Sequence, residues 1–280
     1  MSDHFCRMTV ACWGACILLS DMAADSFRNS SEAMSDTFLA ALALKWRELR
    51  DAPQPAAGTL GFFPAREAVE MRRLCRDAAA IGAPPEAIAR LWRSMCGDVA
   101  AARGLKAVYV AGGDVTLTLE AGRSYFGFGP DLVPLVGIRD ALERVATETG
   151  ALACLPWPEH AGSGQWWPML NESRFGDLKI GCGWPSLPGR LEEGPRVAIV
   201  GRIPLESSGD DDTLATAHDD HWTADKLLAG VGIKAEVVAR ARSLALIRMS
   251  EFVAPDDRRI ALAKAAGLDG LRVIGVRPRP

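Results

Sequence analysis

The sequence predicts an α+β protein with an N-terminal helical module, a following α/β lobe and a small α+β region at the end. Three observations predict this order. Residues 35–104 repeat apolar side chains at helical spacing, with Pro- and Gly-rich breaks between the segments. Residues 105–194 begin with strands that alternate with helices, which is typical of a parallel sheet. Residues 195–280 again alternate short strands and helices within about 85 residues.

Residues 1–34 form an N-terminal arm with several open interpretations. Met8–Leu19 is a twelve-residue apolar run (MTVACWGACILL), which is too short to span a bilayer. It could be the core of a signal peptide, or a helix-forming arm of the mature protein. Because Met34 is an in-frame alternative start, the first 33 residues could also reflect an over-extended gene.

The helical module is predicted to contain three helices. The first follows the Ser35-Asp36 cap, and a Pro/Gly-rich break at residues 51–61 (DAPQPAAGTLG) ends it. The second begins at Pro64, because proline is favoured at the first position of a helix. The third covers Glu86–Ala102, and Gly104 ends it.

Strands and helices then alternate through the rest of the chain. A buried strand is predicted over Lys106–Ala111, and its apolar run ends in two glycines. The remaining predicted elements of the lobe are a strand at Leu132–Val136, a helix at Ile138–Glu148 and a strand at Ala151–Leu155. The last region is predicted to contain strands at 196–203, 213–217, 244–252 and 271–276 and helices at 223–228 and 258–266. This order resembles a small ferredoxin-like α+β sandwich.

Composition narrows the class of protein. The chain is 49% hydrophobic and 24% charged, which is typical of a globular protein, and its formal charge of −3 argues against a nucleic-acid binder. Seven scattered cysteines without a CxxC pair indicate reduced thiols in a cytoplasmic protein, and no metal or cofactor is predicted. Only 6 of the 32 basic residues are lysines. Arginine suits bidentate carboxylate binding, although a GC-rich genome is the favoured explanation of the excess.

Two phrases of the helical module carry a family resemblance. Phe63–Leu74 reads FPAREAVEMRRL and Pro85–Arg93 reads PEAIARLWR, and both resemble the second and third helices of the all-helical chorismate mutases. The resemblance covers roughly residues 35–104. It implies a pericyclic conversion of chorismate to prephenate, in which the enzyme holds a dicarboxylate in a compact conformer and stabilises charge on its ether oxygen.

The resemblance also implies site residues. Glu67 would accept the substrate hydroxyl, Arg66 would bind substrate, and Arg103 would donate to the ether oxygen. Arg28 and Lys45 are 17 residues apart, which places them on similar faces of a helix, and they are the candidate cations, with Arg47 as the alternative. The chain departs from the family in three places: the 51–61 loop has no lysine, Phe63 replaces an acid, and Arg103 stands where a Gln or Glu is usual.

Residues 107–170 resemble the first lobe of a prephenate dehydratase. The matching pieces are the glycine turn after the first strand, Tyr125-Phe126-Gly127, the helix from Ile138 and the stretch Leu155–Ser163. A glycine turn after a strand can bind a carboxylate through its backbone N–H groups. The substrate-binding residues implied by this match are Gly112, Gly113, Thr116 and Glu159.

The dehydratase resemblance is truncated. Residues 171–175 (NESRF) echo a catalytic phrase of that family, but they follow the first lobe directly and leave no room for a second. Dehydratase activity is therefore not expected. The tail from Arg248 resembles the end of the amino-acid-binding, ACT-like domain of these enzymes. Four of the eight tryptophans lie between residues 157 and 184, and we expect them to cap the truncated lobe.

Two functions remain open. One is a chorismate mutase, an isomerase of aromatic amino acid biosynthesis that binds the dicarboxylates chorismate and prephenate. The alternative is a catalytically inactive, ligand-sensing or regulatory protein derived from chorismate mutase and prephenate dehydratase. The resemblance implies a homodimer without nucleic acid or membrane partners, because a helical module of ~70 residues rarely buries enough surface alone.

Overall fold

The computed structural model describes residues 37, 39–53, 62–159, 165–186 and 194–279. The chain divides into two compact units, one ending at Ala52 and one beginning at Pro53. In the first unit, residues 39–51 form helix α1. The predicted N-terminal arm, residues 1–34, lies outside the described residues.

The second unit contains six helices and nine strands within its described residues. The helices are α2 (Pro64–Ala80), α3 (Pro85–Ala102), α4 (Val115–Phe126), α5 (Ile138–Thr147), α6 (Ala224–Gly230) and α7 (Arg258–Ala265). The strands are β1 (Ala107–Val110), β2 (Asp131–Pro134), β3 (Ala151–Pro156), β4 (Lys179–Trp184), β5 (Val197–Gly201), β6 (Asp211–His218), β7 (Ala235–Ala241), β8 (Leu244–Met249) and β9 (Arg272–Pro278). Two short 3-10 helices cover Trp167–Asn171 and Ser173–Phe175. The α+β class is as predicted, and the domain boundaries at residues 34, 104 and 194 stay predictions.

One sheet contains all nine described strands in the order β2-β1-β3-β5-β4-β9-β6-β8-β7. The first three pair in parallel, since β1 lies between β2 and β3. The predicted parallel arrangement of the lobe is therefore confirmed. β5 then pairs antiparallel with both β3 and β4, and β4 meets β9 in parallel. Strands β3 and β5 are buried on both faces, as their continuous apolar sequences require.

The last six elements follow one another as β6-α6-β7-β8-α7-β9. Within the sheet they take the order β9-β6-β8-β7, with antiparallel pairing throughout. This is the β-α-β-β-α-β arrangement of the ferredoxin-like fold. Strand β9 connects this part to the lobe, because it pairs in parallel with β4 at Ile180 and Gly275.

The four tryptophans between residues 157 and 184 lie in the core. Trp157, Trp166 and Trp167 are almost completely buried and pack in one cluster with side chains of β3, β5 and α5. Trp184 is buried on the other side of the lobe, with its ring edge-on to Tyr125 at a centroid distance of 5.4 Å. Burial explains why indoles concentrate here, while capping of a truncated lobe stays a prediction.

Two strands were not predicted from the sequence. β4 has the sequence KIGCGW, and its glycines and buried faces remove the alternation that marks a half-exposed strand. β7 carries a bulge between Val237 and Ala239, which breaks its period of two. No helix in the described part of the chain is long and apolar enough to cross a membrane.

Candidate functional site

The predicted site residues fall into separate places. Arg28 lies outside the described residues. Lys45 and Arg47 lie on α1 in the first unit, where the Lys45 ammonium is 3.2 Å from a carboxylate oxygen of Glu48. The other seven lie in the second unit: Arg66, Glu67 and Arg103 around the start of α2, Gly112, Gly113 and Thr116 at the start of α4, and Glu159 after β3.

The start of α2 brings three predicted residues together. The Arg66 guanidinium carbon lies 4.5 Å from the centre of the Phe63 ring, and that of Arg103 lies 5.2 Å from the same centre. Phe63, which stands where the resemblance expects an acid, therefore contacts both cations through its ring. We call Phe63, Arg66, Glu67, Arg93 and Arg103 the α2 cluster.

Glu67 is held by a buried arginine. Arg93 on α3 donates from Nη1 to Oε2 of Glu67 at 2.6 Å and from Nε to the Tyr125 carbonyl at 3.3 Å. Its guanidinium lies 3.6 Å from the centre of the Tyr125 ring. Arg93 is only 3% exposed. Although burial lowers the pKa of Arg93, the nearby Tyr125 and Glu67 raise it more, so this arginine is a fixed cation.

The local sequence explains why Glu67 is placed this way. Phe62 and Phe63 are buried, and Pro64 then begins α2, so Glu67 falls in the first helical turn, where a carboxylate is favoured. Trp92 Nε1 donates to the backbone carbonyl of Glu67 at 3.1 Å. Trp92 and Arg93 together fix both the backbone and the side chain of Glu67 from α3.

Arg103 lies at the C-terminal end of α3 and completes the cluster. Burial, together with the positive charge of Arg66, lowers the pKa of Arg103, while the charge of Glu67 raises it. Arg103 also donates from Nη2 to the Pro53 carbonyl at 3.4 Å. A carboxylate and three guanidinium groups thus lie at one place, although 37 positions separate the first arginine from the last.

Two arginines of α2 also bind the segment that leads into β6. Arg66 makes a bidentate pair with Glu206, with both N–O distances at 2.9 Å. Arg72 donates to the backbone carbonyls of Ser208 and Arg279 at 2.5 and 2.8 Å. Helix α2 therefore contacts both the candidate site and the ferredoxin-like part of the unit.

The helix that follows the glycine turn after β1 is capped by the carboxylate of Asp114. Gly112 and Gly113 have φ values of +83° and +59°, and a Cβ on Gly112 would lie 2.4 Å from the Ile138 side chain. Asp114 caps α4, and its Oδ1 accepts from the backbone N–H groups of Thr116 and Leu117 at 2.9 and 3.2 Å. Two backbone donors at the start of α4 are thus engaged by Asp114, and the role of Gly112, Gly113 and Thr116 in substrate binding stays a prediction.

Glu159 is also engaged. Arg248 Nη1 on β8 lies 3.1 Å from both carboxylate oxygens of Glu159. The same guanidinium pairs with Glu236 on β7. In this arrangement Glu159 links the lobe to the ferredoxin-like part, and its role in substrate binding stays a prediction.

The α2 cluster suits the binding of a small organic anion. Its guanidinium groups can bind carboxylates through paired N–H donors, and Glu67 can accept from a hydroxyl. The described residues contain no group of three or more His, Cys, Asp or Glu side chains placed to hold a metal ion.

Trp92 and Arg93 lie in the phrase PEAIARLWR, but the sequence alone assigned no role to either of them. The sequence gives no clear signal for the role of Arg93, because it does not show whether a residue beside the apolar side of α3 is buried or exposed to solvent. Glu206, the partner of Arg66, has no signal either, because it is 140 positions away in a segment without periodicity.

Comparisons with known proteins found similar structures but no family. No protein-family model matches the chain, and no curated protein matches it significantly. GqqA, described as a novel type of quorum quenching acylase, is 17% identical with a TM-score of 0.44, covering 62% of this chain and 95% of its own. Prephenate dehydratase from Streptococcus mutans is 16% identical with a TM-score of 0.40, covering 63% of this chain and 100% of its own.

A third similar structure is prephenate dehydratase from Arthrobacter aurescens in complex with L-Phe. It is 16% identical with a TM-score of 0.45, and the match covers 62% of this chain and 90% of that one. Two of these three structures belong to the family that residues 107–170 resemble. Similarity at this level assigns no activity to the chain.

Proposed function

We propose that this protein binds chorismate at the α2 cluster and converts it to prephenate. The observation that carries the proposal is that Glu67, at the start of α2, and Arg103, at the end of α3, lie in one cluster. These are the carboxylate and the cation that the rearrangement needs, one for the substrate hydroxyl and one for the ether oxygen. Arg66 would bind a substrate carboxylate.

Within this proposal Phe63 and Arg93 have different tasks. The buried Phe63 ring contacts both Arg66 and Arg103 and positions the two guanidinium groups. Arg93 fixes the Glu67 carboxylate from the side of α3 that solvent does not reach. Arg28 of the N-terminal arm and Lys45 and Arg47 of α1 stay predicted cations.

The test is the loss of chorismate absorbance with purified full-length protein. We expect acceleration by the unchanged protein, a loss of ~100-fold or more in kcat for Arg103→Ala, and a loss of ~10- to 100-fold in kcat/KM for Glu67→Gln. Arg76→Ala, an exposed position on the same α2 helix, is the matched control and should keep full activity. Lys45→Ala tests the predicted cation of α1.

Two results would contradict the mutase proposal. One is the absence of any acceleration by the unchanged protein. The other is activity that survives both Glu67→Gln and Arg103→Ala. The predicted homodimer is tested separately, since elution as a monomer at micromolar concentration would contradict it.

The second candidate function is a ligand-sensing protein without catalysis. It is favoured by the pairing of Arg66 with Glu206 and of Glu67 with Arg93, which compensates these charges without a substrate. If the mutase assay is silent, an increase in melting temperature with prephenate or phenylalanine supports this candidate. An unchanged melting temperature with both compounds would contradict it.

A further inference from the structure

Two cations meet at one end of β4 and β9. Lys179 is the first residue of β4 and Arg272 the first of β9, and the two strands are parallel neighbours. Lys179 Nζ donates to the Gly176 carbonyl at 3.0 Å, and Arg272 Nη2 donates to the same oxygen. Arg272 Nη1 donates to the Leu170 carbonyl at 3.2 Å. Both side chains are half-buried.

Neither cation has a carboxylate partner within the described residues. Their hydrogen-bond acceptors are backbone carbonyls, whereas Arg259 in the same unit pairs with two carboxylates. Burial, and after it the positive charge of Arg272, lowers the pKa of Lys179 to about 8, with Asp177 opposing the shift. Two like charges therefore lie side by side, and they are compensated by carbonyl dipoles and by the charge of Asp177, which forms no ion pair with either cation within the described residues.

A further donor without an acceptor lies next to Arg272. Asn171 accepts from the Thr216 hydroxyl at 2.9 Å through Oδ1, while its Nδ2 is buried without a hydrogen-bond partner. Thr216 is the cross-strand partner of Arg272, which places Asn171 beside the guanidinium. Trp167 Nε1, at the start of the same 3-10 helix, is also buried without an acceptor. Buried polar groups are normally paired, so an excess of donors over acceptors indicates a missing acceptor.

A purely structural role explains only part of this arrangement. Lys179 and Arg272 do hold the 3-10 segment through its carbonyls, but one cation would satisfy Gly176 without placing a second beside it. An anion with several oxygen atoms would accept from both cations and from the amide, and it would remove the repulsion between them.

We propose that Lys179, Arg272 and Asn171 form a second ligand site, which binds the oxyanion group of a small metabolite. The bound group is a carboxylate or a phosphate, since both present oxygen acceptors of the same kind. The site is separate from the α2 cluster and does not depend on mutase activity. It lies where the two 3-10 helices meet the N-terminal ends of β4 and β9.

The experiment follows the lysines of the full-length protein by NMR after labelling with 13C-lysine. The chain has only six lysines, so each signal can be titrated on its own, and Lys179→Arg assigns the signal of interest. We expect Lys179 to titrate near pH 8, and inorganic phosphate or malonate to raise its pKa by about one unit at matched ionic strength. One unit corresponds to tenfold tighter binding of the anion by the protonated lysine.

The two anions distinguish the sources of the ligand group. A shift with phosphate alone assigns a phosphate site, and a shift with malonate alone assigns a carboxylate site. In Arg272→Gln the pKa of Lys179 should rise in the absence of ligand, since a like charge is removed. The pKa shift of Lys179 that either anion causes should become at least tenfold smaller. Asn171→Ala should weaken the anion effect without changing the pKa of the free protein.

The exposed Lys234 serves as the matched control, and its signal should not respond to either anion. The proposal is overturned if neither phosphate nor malonate shifts Lys179 more than Lys234. It is also overturned if Lys179 titrates near pH 10.4, the ordinary pKa of a lysine side chain. Both outcomes are read from the unchanged protein, so they do not depend on whether a variant folds.

Discussion

Replacement of Arg93 by methionine should remove much of the stability of the second unit. Arg93 is 3% exposed, and the side chain of its partner Glu67 is 13% exposed, so the substitution leaves a carboxylate in a nearly dry place. Breaking a buried ion pair from one side costs ~3–5 kcal/mol. The lost contact between the guanidinium and the Tyr125 ring, at 3.6 Å, adds ~1–2 kcal/mol. We expect a total of ~4–7 kcal/mol.

A double variant separates the charge effect from packing. In Arg93→Met with Glu67→Met both charges are gone and both positions are apolar, and buried pairs replaced in this way are often neutral. We therefore expect the double variant to lie within ~2 kcal/mol of the unchanged protein. The coupling between the two positions should then be at least ~2 kcal/mol.

The assay is the free energy of unfolding from urea titrations followed by tryptophan fluorescence. Arg90→Met is the matched control, because Arg90 lies on the same helix but is exposed, and it should change the free energy by less than ~0.5 kcal/mol. The reasoning fails if Arg93→Met costs no more than this control. It also fails if the effects of the two single substitutions simply add in the double variant.

Three further substitutions test the packing and the electrostatics. A Cβ on Gly97 of α3 would lie 1.8 Å from the carbonyl oxygen of Phe126, so Gly97→Ala should cost at least ~2 kcal/mol, whereas Gly230→Ala, which meets nothing, should not destabilise the protein. Burial raises the pKa of Asp219, but hydrogen bonds from an arginine and two backbone N–H groups lower the pKa by more than burial raises it, so the net shift is downward. The ~2 kcal/mol that Asp219→Asn removes should therefore be present above about pH 4 and vanish as the pH falls through the lower folded-state pKa. Trp167→Ala, at a fully buried position, should cost ~3–5 kcal/mol and lower the melting temperature.

Each of these has a clear contrary result. Equal stability of the two glycine variants would show that α3 and α4 can separate without cost. If the difference in free energy of unfolding between Asp219→Asn and the unchanged protein stayed constant from pH 2 to pH 7, the partners of Asp219 would not lower its pKa. A small effect of Trp167→Ala would show that the tryptophan cluster is not part of the core.

Much of the fold could be predicted from local sequence. The helix at residues 138–148 and the strand at residues 151–155 match α5 and β3 within one residue at each end, since both have strong apolar patterns and clear turns beside them. Strand β4 could not be predicted, because its two glycines and its burial on both faces remove the alternating pattern. The bulge at Val238 concealed β7 in the same way.

For the site, the sequence by itself determined which residues belong at the start of α2 and the end of α3. The spacing of Glu67 and Arg103 on two adjacent amphipathic helices, and the proline and glycine that bound those helices, depend on local geometry only. Arg93 was visible in the same motif, but its role required the knowledge that its side of α3 is buried.

Only the tertiary structure decided which charges are available. Glu206 reaches Arg66 across 140 positions, Arg248 reaches Glu159 across 89, and Arg272 lies beside Lys179 because β9 returns to pair with β4. Ion pairs of this kind are set by the order of strands in a sheet, and local sequence carries no record of that order. The motifs therefore identify the candidate residues, while the fold decides which of them hold the structure and which can bind a ligand.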